Sequence, residues 1–311
     1  MKPVVAVLGS LNMDFVVSVE TLPAPGQTVL GGGFQMIPGG KGANQACACG
    51  RLGEGAVLTR MAGRVGYDLF ADHLKASLAA AGVDVSAVHA TRAQPTGVAL
   101  IWVDRQGQNS IVVASGANHE IAPSDAASLR QTFRDSSFAL FQLETPLETV
   151  RAAMQVAREE GASTILDPAP AQPLPAHILS LVDILTPNET EAMVLLGKPP
   201  GPISSADATE VGRALRTQLG VETVVLKLGG GGCLWMNDKE TIAAPAVAVT
   251  PVDTTAAGDT FYGALAIALA EGKSVSEALR FANAAAGLSV TKVGAQASIP
   301  PRAEVLKLLL R

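Results

Sequence analysis

Residues 138–167 read FALFQLETPLETVRAAMQVAREEGASTILD, and this stretch decides the architecture. Residues 138–143 form an apolar run that reads as a strand. Pro146 sits at the first turn of a helix that Gly161 ends, and residues 164–167 read as the next strand. Downstream the alternation continues. Residues 183–186 make a strand, Asn188 caps a helix that stops at Gly197, residues 204–219 make a helix closed by Gly220, and residues 223–228 form another apolar strand. Residues 246–252 are strand-like, helices begin near Gly258 and Ser274, and Pro301 opens the last one. Strands rich in Val, Ile and Leu between helices predict a mostly parallel sheet covered on both faces.

Upstream the pattern changes. Residues 4–9 read as a buried first strand. Residues 15–20, 28–37 and 97–115 look like strands with no helix between local partners, and residues 104–108 join 98–103 to 110–113 as a hairpin. Between the second and third of these lie two helices, 41–52 ended by Gly53 and 68–81 ended by Gly82. Phe70, Leu74, Leu78 and Ala81 give the latter one apolar stripe. The expectation is a small antiparallel sheet inserted into a larger α/β body, standing off it as a lid, a dimer surface or both.

Composition narrows the function. A chain of 311 residues makes one large or two modest domains. A 48% hydrophobic and 16% charged composition excludes a disordered chain. The net charge of −5 and the 4% aromatic content argue against a partner that is nucleic acid or a membrane surface, which calls for a basic footprint or stacking aromatics. No uncharged apolar run reaches the roughly 18–20 residues of a bilayer span; residues 260–270 come nearest. The stretch after Lys2 lacks a small-residue cleavage site, and Asp14 follows quickly, so no secretion signal is expected. Cys47, Cys49 and Cys233 are too few for a disulfide framework and point to a reducing, cytoplasmic location.

Four segments carry chemistry. Asp253-Thr254-Thr255-Ala256-Ala257-Gly258-Asp259-Thr260-Phe261 opens a helix. A helix start offers free N–H groups and a positive dipole end to an anion. Gly258 lets backbone approach that anion, and Asp259 is placed to take a proton from an attacking hydroxyl. Asp is equally a favoured helix cap, and on this segment alone both readings stand. Pro38-Gly39-Gly40-Lys41-Gly42-Ala43-Asn44-Gln45-Ala46 sets glycines around a Lys at another helix start. It lacks Walker A spacing, and no G-x-G-x-x-G follows the first strand, which weighs against a nicotinamide enzyme. Lys41 is either a solvated loop residue or a cation near a ligand's oxygens. Thr186-Pro187-Asn188-Glu189-Thr190-Glu191 stands at a strand-to-helix junction, where carboxylates complement the dipole or hold hydrated Mg²⁺. Leu226-Lys227-Leu228-Gly229-Gly230-Gly231-Gly232 follows a strand and is either a plain turn or backbone lying flat beside a nucleotide. His73, His89, His119 and His177 fall outside all four segments.

In this order and at this separation, Gly39-Gly40-Lys41-Gly42-Ala43-Asn44 and Asp253 to Phe261 resemble the two signatures of the phosphofructokinase-B family of sugar kinases, the ribokinase-like fold. The likeness spans nearly the whole chain. Gly9-Ser10-Leu11-Asn12-Met13-Asp14, Gln142-Leu143-Glu144, Asp167-Pro168-Ala169-Pro170, Thr186 to Glu191 and Gly294-Ala295-Gln296 are similar to the ribose-phosphorylating branch of that family. The resemblance implies a three-layer α/β/α fold with a mostly parallel sheet. It implies one carbohydrate kinase domain over residues 1–311, with a small inserted β-sheet lid from about 13–40 and 96–115.

The same resemblance implies ATP-dependent phosphorylation of the O5 hydroxyl of D-ribose, giving ribose 5-phosphate and ADP. Asp259 matches the catalytic base, and Ala256, Ala257 and Gly258 match an anion hole. Asn12, Asp14, Gly40, Lys41, Asn44 and Glu144 match sugar-binding positions. Asn188, Lys227, Gly229, Gly232, Gly258 and Asn283 match positions along the nucleotide site, and Glu191 matches a motif tied to Mg²⁺ and phosphate. A K⁺ site is implied beside the anion hole, from the Asp253 side chain and the carbonyls of Thr255, Ser289, Lys292 and Gly294, with a contribution from Ser298. Gly230 and Gly231 replace side chains often seen in the family's nucleotide loop. A homodimer through the lid sheets is implied as well. The alternatives are another kinase of the family, acting on deoxyribose, fructose or a nucleoside, and a non-catalytic sugar- or nucleotide-binding regulator. The Asp259 segment argues against the last, because a sensor needs no base.

Overall fold

The computed structural model describes residues 2–204 and 206–310. The first half of the chain runs β1 Val4–Leu8, β2 Asn12–Val19, β3 Gly31–Gly39, α1 Lys41–Leu52, β4 Leu58–Gly66, α2 Leu69–Ala80, β5 Val83–Thr91, β6 Gly97–Val103 and β7 Asn109–Ala114. After a short α3, Arg130–Phe133, come β8 Ser136–Phe141, α4 Leu147–Glu159, β9 Ser163–Leu166, α5 Ala176–Leu179, β10 Ile184–Leu185, α6 Glu189–Leu195 and α7 Ala208–Leu219. The chain then follows β11 Thr223–Lys227, β12 Cys233–Met236, β13 Thr241–Ala244, α8 Ala257–Ala270, α9 Val275–Ser289 and α10 Arg302–Leu309.

Nine strands form the main sheet in the order β13-β12-β11-β10-β9-β8-β1-β4-β5. From β11 to β5 every pairing is parallel, and β12 and β13 turn antiparallel at one edge. One face packs Val5, Val7, Ile165 and Val225 against α1, α8 and α9; the other packs Ala6, Leu8, Leu166 and Val224 among apolar residues of α4 and α7. These are the layers of an α/β/α sandwich. The β8–α4–β9 unit and helix α1 form where the sequence places them.

A second sheet of four strands, β3-β2-β6-β7, stands beside the first. It is mixed, which corrects the antiparallel expectation. β2 runs parallel to β6 from Asn12 opposite Gly97 to Ser18 opposite Val103, while β3 and β7 flank them antiparallel. The reason lies in the chain path: β2 follows β1 and β6 follows β5, so both leave the main sheet from the same edge and in the same direction.

Other expectations shift. No strand forms over 246–252. The edge pairing there is supplied instead by β12 and β13, because the four glycines turn the chain back so that Lys227 pairs Cys233. β4 and β5, unread in the sequence, extend the main sheet. The helix expected over 204–219 starts at Ala208, and Ser205 of that stretch lies outside the described residues. Among the described residues no helix is long and apolar enough to cross a membrane.

Parallel strands joined by helical crossovers bring strand C-termini and helix N-termini to one edge of the sheet. Two contacts set α1 and α8 there. At Gly263 of α8, a Cβ would fall 2.7 Å from the Ala48 Cβ and 2.9 Å from the Gln45 carbonyl of α1, so only glycine allows this approach. One residue earlier, the buried Tyr262 hydroxyl donates to the Ile165 carbonyl of β9 and accepts from the Phe141 N–H of β8.

Candidate active site

Asp259 lies one turn into α8. The cap is Ala256, in the left-handed region at φ 58°, and Asp259 is the third helical residue. Its carboxylate turns away from its own helix. Oδ2 accepts from Asn44 Nδ2 at 3.0 Å, and Oδ1 accepts from Gln45 Nε2 at 3.0 Å. The cap reading of Asp259 therefore falls. Burial pushes its pKa up, opposed by the Lys41 ammonium and by the amide donors, with Asp167 adding to the rise. At the helix start, the Ala257 N–H is drawn to the Thr254 carbonyl at 3.2 Å. The N–H groups of Ala256, Gly258 and Asp259 have no backbone acceptor among the described residues, so these three are the donors left for an anion.

Beneath this helix start stands Lys227, at the end of β11. A Cβ on Gly258 would sit 3.8 Å from its Nζ. The ammonium pairs with Asp167 Oδ1 at 2.8 Å and lies 3.9 Å from Glu191 Oε2. Burial works against its charge, but Asp167 and Glu191 outweigh it and raise its pKa. Gln45 Nε2 also donates to Asp167 Oδ2 at 3.0 Å, so one polar network joins Asp259, Asp167 and Lys227.

The sugar-matching residues gather on the small-sheet side of Asp259. Asn12 is buried, its Oδ1 accepting from Asn118 Nδ2 at 2.7 Å. Asp14 packs so closely on Gly39 that a Cβ there would fall 2.1 Å from its carboxylate. Glu144 Oε2 accepts from the Lys41 N–H at 3.0 Å and from the Ser10 hydroxyl. Gly40 caps α1 at φ 89°, where a side chain would strike the backbone of Leu11 and Asn12. Asn44 Oδ1 is buried without a hydrogen-bond partner and is left to accept a hydroxyl. For Lys41, burial lowers the pKa but Asp259, Asp167, Glu144 and Glu191 more than restore it. Four carboxylates, from Glu144, Asp167, Glu191 and Asp259, thus surround two ammonium groups, and Asp14 stands near Glu144 and Asp259.

The nucleotide-matching residues are less uniform. Asn188 caps α6, and its side chain is committed to Glu191: Oδ1 accepts from the Glu191 N–H, and Nδ2 donates to Glu191 Oε1 at 2.9 Å. Glu191 Oε2 accepts from the Asn188 N–H at 2.7 Å, so both its oxygens are occupied. Burial raises the Glu191 pKa despite Lys227. Gly232, at φ 93°, is demanded by packing, because a Cβ would meet the Ala244 carbonyl at 2.1 Å. Gly230 faces open space, and a Cβ on Gly229 would meet only Glu189 Oε2 at 4.0 Å. Asn283 donates from Nδ2 to the carbonyls of Ala244 and Pro245, fixing the end of β13 to α9.

Asp253 joins two loops. Oδ1 accepts from the Thr255 N–H at 2.9 Å and from its hydroxyl at 2.6 Å, and Oδ2 accepts from the Gly294 N–H at 2.8 Å. Burial opposes its charge, but these donors hold the carboxyl below the usual range. No backbone hydrogen bond among the described residues uses the carbonyls of Thr255, Lys292 or Gly294. Ser289 is turned to Ala286, the Lys292 ammonium is paired at the surface with Glu304, and Ser298 is buried with its hydroxyl on Ala295.

Ser10, Gln45, Gln142, Asn118 and Asp167 belong to this site and carried no assigned role. All but Asn118 lie inside stretches already singled out, next to glycines, carboxylates or strand ends. Asn118 had no local signal, because its partners, Leu11 and Asn12, are more than a hundred positions away.

The parallel α/β body, the small sheet and the buried carboxylate at a helix start fit a sugar-kinase class of protein, and the chain belongs to the pfkB family of carbohydrate kinases. The model of the pfkB family carbohydrate kinase matches residues 2–302. The chain is 41% identical to the ribokinase of Haemophilus influenzae, covering 99% of each protein. It is 41% identical to the ribokinase of Bacillus subtilis over 98% of this chain and 99% of that protein. The structure of Arabidopsis thaliana ribokinase complexed with ribose and ATP superposes with a TM-score of 0.88 at 36% identity, covering 99% of each chain.

Asp14 tests the electrostatics of the cleft. Burial, then the charges of Glu144 and Asp259, push its pKa from 3.8 up to about 7. Between those values the folded protein keeps a proton that the unfolded chain has released, so this group's contribution to stability falls as pH rises through the window. Asp14→Asn removes that loss. In the unliganded protein the variant's Tm should exceed the wild-type Tm at pH 8, and the gap should shrink at pH 5. A gap that is constant with pH, or larger at pH 5, contradicts the buried-charge account.

Proposed function

We propose that the chain transfers the γ-phosphoryl group of ATP to the O5 hydroxyl of D-ribose, giving D-ribose 5-phosphate and ADP, with Asp259 as the base. The observation that carries this reading is the Asp259 carboxylate, held at both oxygens by Asn44 and Gln45 beside the free N–H groups of a helix start. Asn12, Asp14, Gly40, Lys41, Asn44 and Glu144 hold the sugar, since a polyol is read by several converging acceptors and amides. Asp259 withdraws the O5 proton as the oxygen attacks. Ala256, Gly258 and Asp259 offer amides to the transferring phosphoryl group, with Ala257 shaping the turn and Lys227 adding positive charge beneath it. The nucleotide lies along Asn188, Lys227, Gly229, Gly232, Gly258 and Asn283, with backbone contacts at the glycines.

Mg²⁺ neutralises nucleotide phosphates when bound. Because both Glu191 oxygens already accept hydrogen bonds from Asn188, Glu191 would act on it through water. The donor set also fits K⁺: a carboxylate that bridges two loops, free carbonyls of Thr255, Lys292 and Gly294, and Ser289 and Ser298 alongside. A cation held there by Asp253 and these carbonyls would keep the anion-hole loop in one arrangement without contacting substrate. The small sheet is a lid, and its exposed apolar residues Phe34, Met36, Ile111, Val112 and Val113 support a homodimer through it. Light scattering checks this, with twice the 31.8 kDa chain mass expected and a single chain mass contradicting it. The buried free cysteines suit work in the cytoplasm.

A coupled ADP-release assay on ribose, 2-deoxyribose, fructose and adenosine tests the reaction. Ribose should give the highest kcat/KM, because a site built to bond a hydroxyl penalises the analogue lacking it. A preference for 2-deoxyribose or another acceptor moves the chain elsewhere in the family. Asp259→Asn should keep the fold and lose about 10²–10⁴-fold in kcat; a kcat near wild type removes Asp259 from the role of base.

Potassium is tested separately, with KCl or NaCl at matched ionic strength, since screening alone alters polyanion binding. KCl should give the faster rate, and Asp253→Ala should abolish the difference. Equal rates in both salts, with Asp253→Ala unchanged, leave Asp253 as a loop tie only.

A further inference from the structure

Gln45 is fully buried, and its amide is fully employed. Nε2 lies 3.0 Å from Asp259 Oδ1 and 3.0 Å from Asp167 Oδ2, and Oε1 accepts from Nε2 of Gln142. Ionised carboxylates only accept, so Gln45 must turn its NH₂ toward both, one proton to each. The amide carbonyl then faces away and needs a donor of its own, which Gln142 supplies. Gln142 is itself buried, and Gly9 makes room for it: a Cβ on Gly9 would fall 1.9 Å from Gln142 Oε1.

We propose that Gln142 and Gln45 form a positioning relay, in which Gln142 fixes the sense of the Gln45 amide and Gln45 holds the Asp259 carboxylate in place against Asp167. The proposal rests on the reading of Asp259 as the base. Neither glutamine is among the sugar- or nucleotide-matching positions, so both act through Asp259. The relay has a physical purpose. Asp259 and Asp167 are like charges that share one nitrogen as donor. The groups around Asp259 are Lys41, Asn44 and Gln45 from α1, Asp14 from β2, Asp167 beyond β9 and Lys227 from β11, with Glu144 beyond β8 acting on Lys41 and Asp14. Within that set, Gln45 alone bridges the two carboxylates. A reversed amide would set its carbonyl oxygen against both, expelling Asp259 from its position.

Two variants test this, with kcat followed against pH and folding checked by Tm. Gln45→Met keeps the length and removes the donor. Losing a hydrogen bond to the ionised form should move the acidic limb of kcat up by about one pH unit, with the ribose KM little changed. Gln142→Glu gives a second, independent signature. While the introduced carboxyl is protonated it donates to Gln45 Oε1 as the amide does. Once ionised it accepts from Gln45 Nε2 and reverses that amide, so kcat should fall on a new alkaline limb that the wild type lacks. Gln142→Met, which neither donates nor accepts strongly, should show no such limb. A merely structural role would lower kcat equally at every pH. Asp259→Asn is assayed alongside. If it keeps turnover, the base reading falls first. If it loses turnover while Gln45→Met and Gln142→Glu give profiles parallel to wild type, the relay alone is overturned.

Discussion

The constraint on which this molecule depends is the gathering of five carboxylates, three of them buried, with two lysines where the main sheet ends. A buried charge is tolerated only when paired and hydrogen-bonded. Each carboxylate here comes from a different part of the chain: Asp14 on β2, Glu144 after β8, Asp167 after β9, Glu191 on α6 and Asp259 on α8. No local segment assembles them. The parallel sheet does so, because its crossovers deliver strand ends and helix starts to the same edge. Packing that looks remote from chemistry serves this end. Gly263 lets α8 approach α1, and the Tyr262 hydroxyl ties α8 to β8 and β9. Both set where Asp259 meets Asn44 and Gln45.

The glycines show how one residue type serves different needs. Gly39, Gly40 and Gly97 are bare because the side chains of Asp14, Asn12 and Asn118 or nearby backbone fill the space a Cβ would take. Gly232 belongs to the same class, crowded by Ala244, although the four-glycine run suggested a surface for a nucleotide. Gly230, by contrast, looks onto open space, and a Cβ on Gly229 would meet only the Glu189 carboxylate at 4.0 Å. The departure from the family's pattern at Gly230 and Gly231 therefore leaves any nucleotide contact there to the backbone.

Much of this was legible in the sequence. Helix α1 begins and ends where its glycines place it, Asn188 and Ser274 cap their helices, and the crossover from β8 to β9 forms as its periodicity directs. What was not legible is non-local. The small sheet is mixed because β2 and β6 continue from strands of a parallel body, a relation that local alternation does not encode. The strand expected over 246–252 does not form, and the hairpin of β12 and β13 is not visible in the sequence because a run of glycines hides the turn that reverses the chain. Asp259 stood equally well as a cap until Ala256, at φ 58°, took that position. Gln45, Gln142 and Asp167 gain their meaning only from partners some hundred residues away, so their neighbours marked the region while their roles stayed hidden.

Asp259 is the carboxylate proposed to accept the sugar's proton. Its titration can be read directly, from the ¹³C carboxyl shift of Asp259 followed against pH in the ribose-bound protein and assigned by its loss in Asp259→Asn. As the base, Asp259 should titrate above an ordinary aspartate, at the midpoint of the acidic limb of kcat. A carboxyl that titrates as an ordinary aspartate, or at a pH unrelated to that limb, would contradict that role.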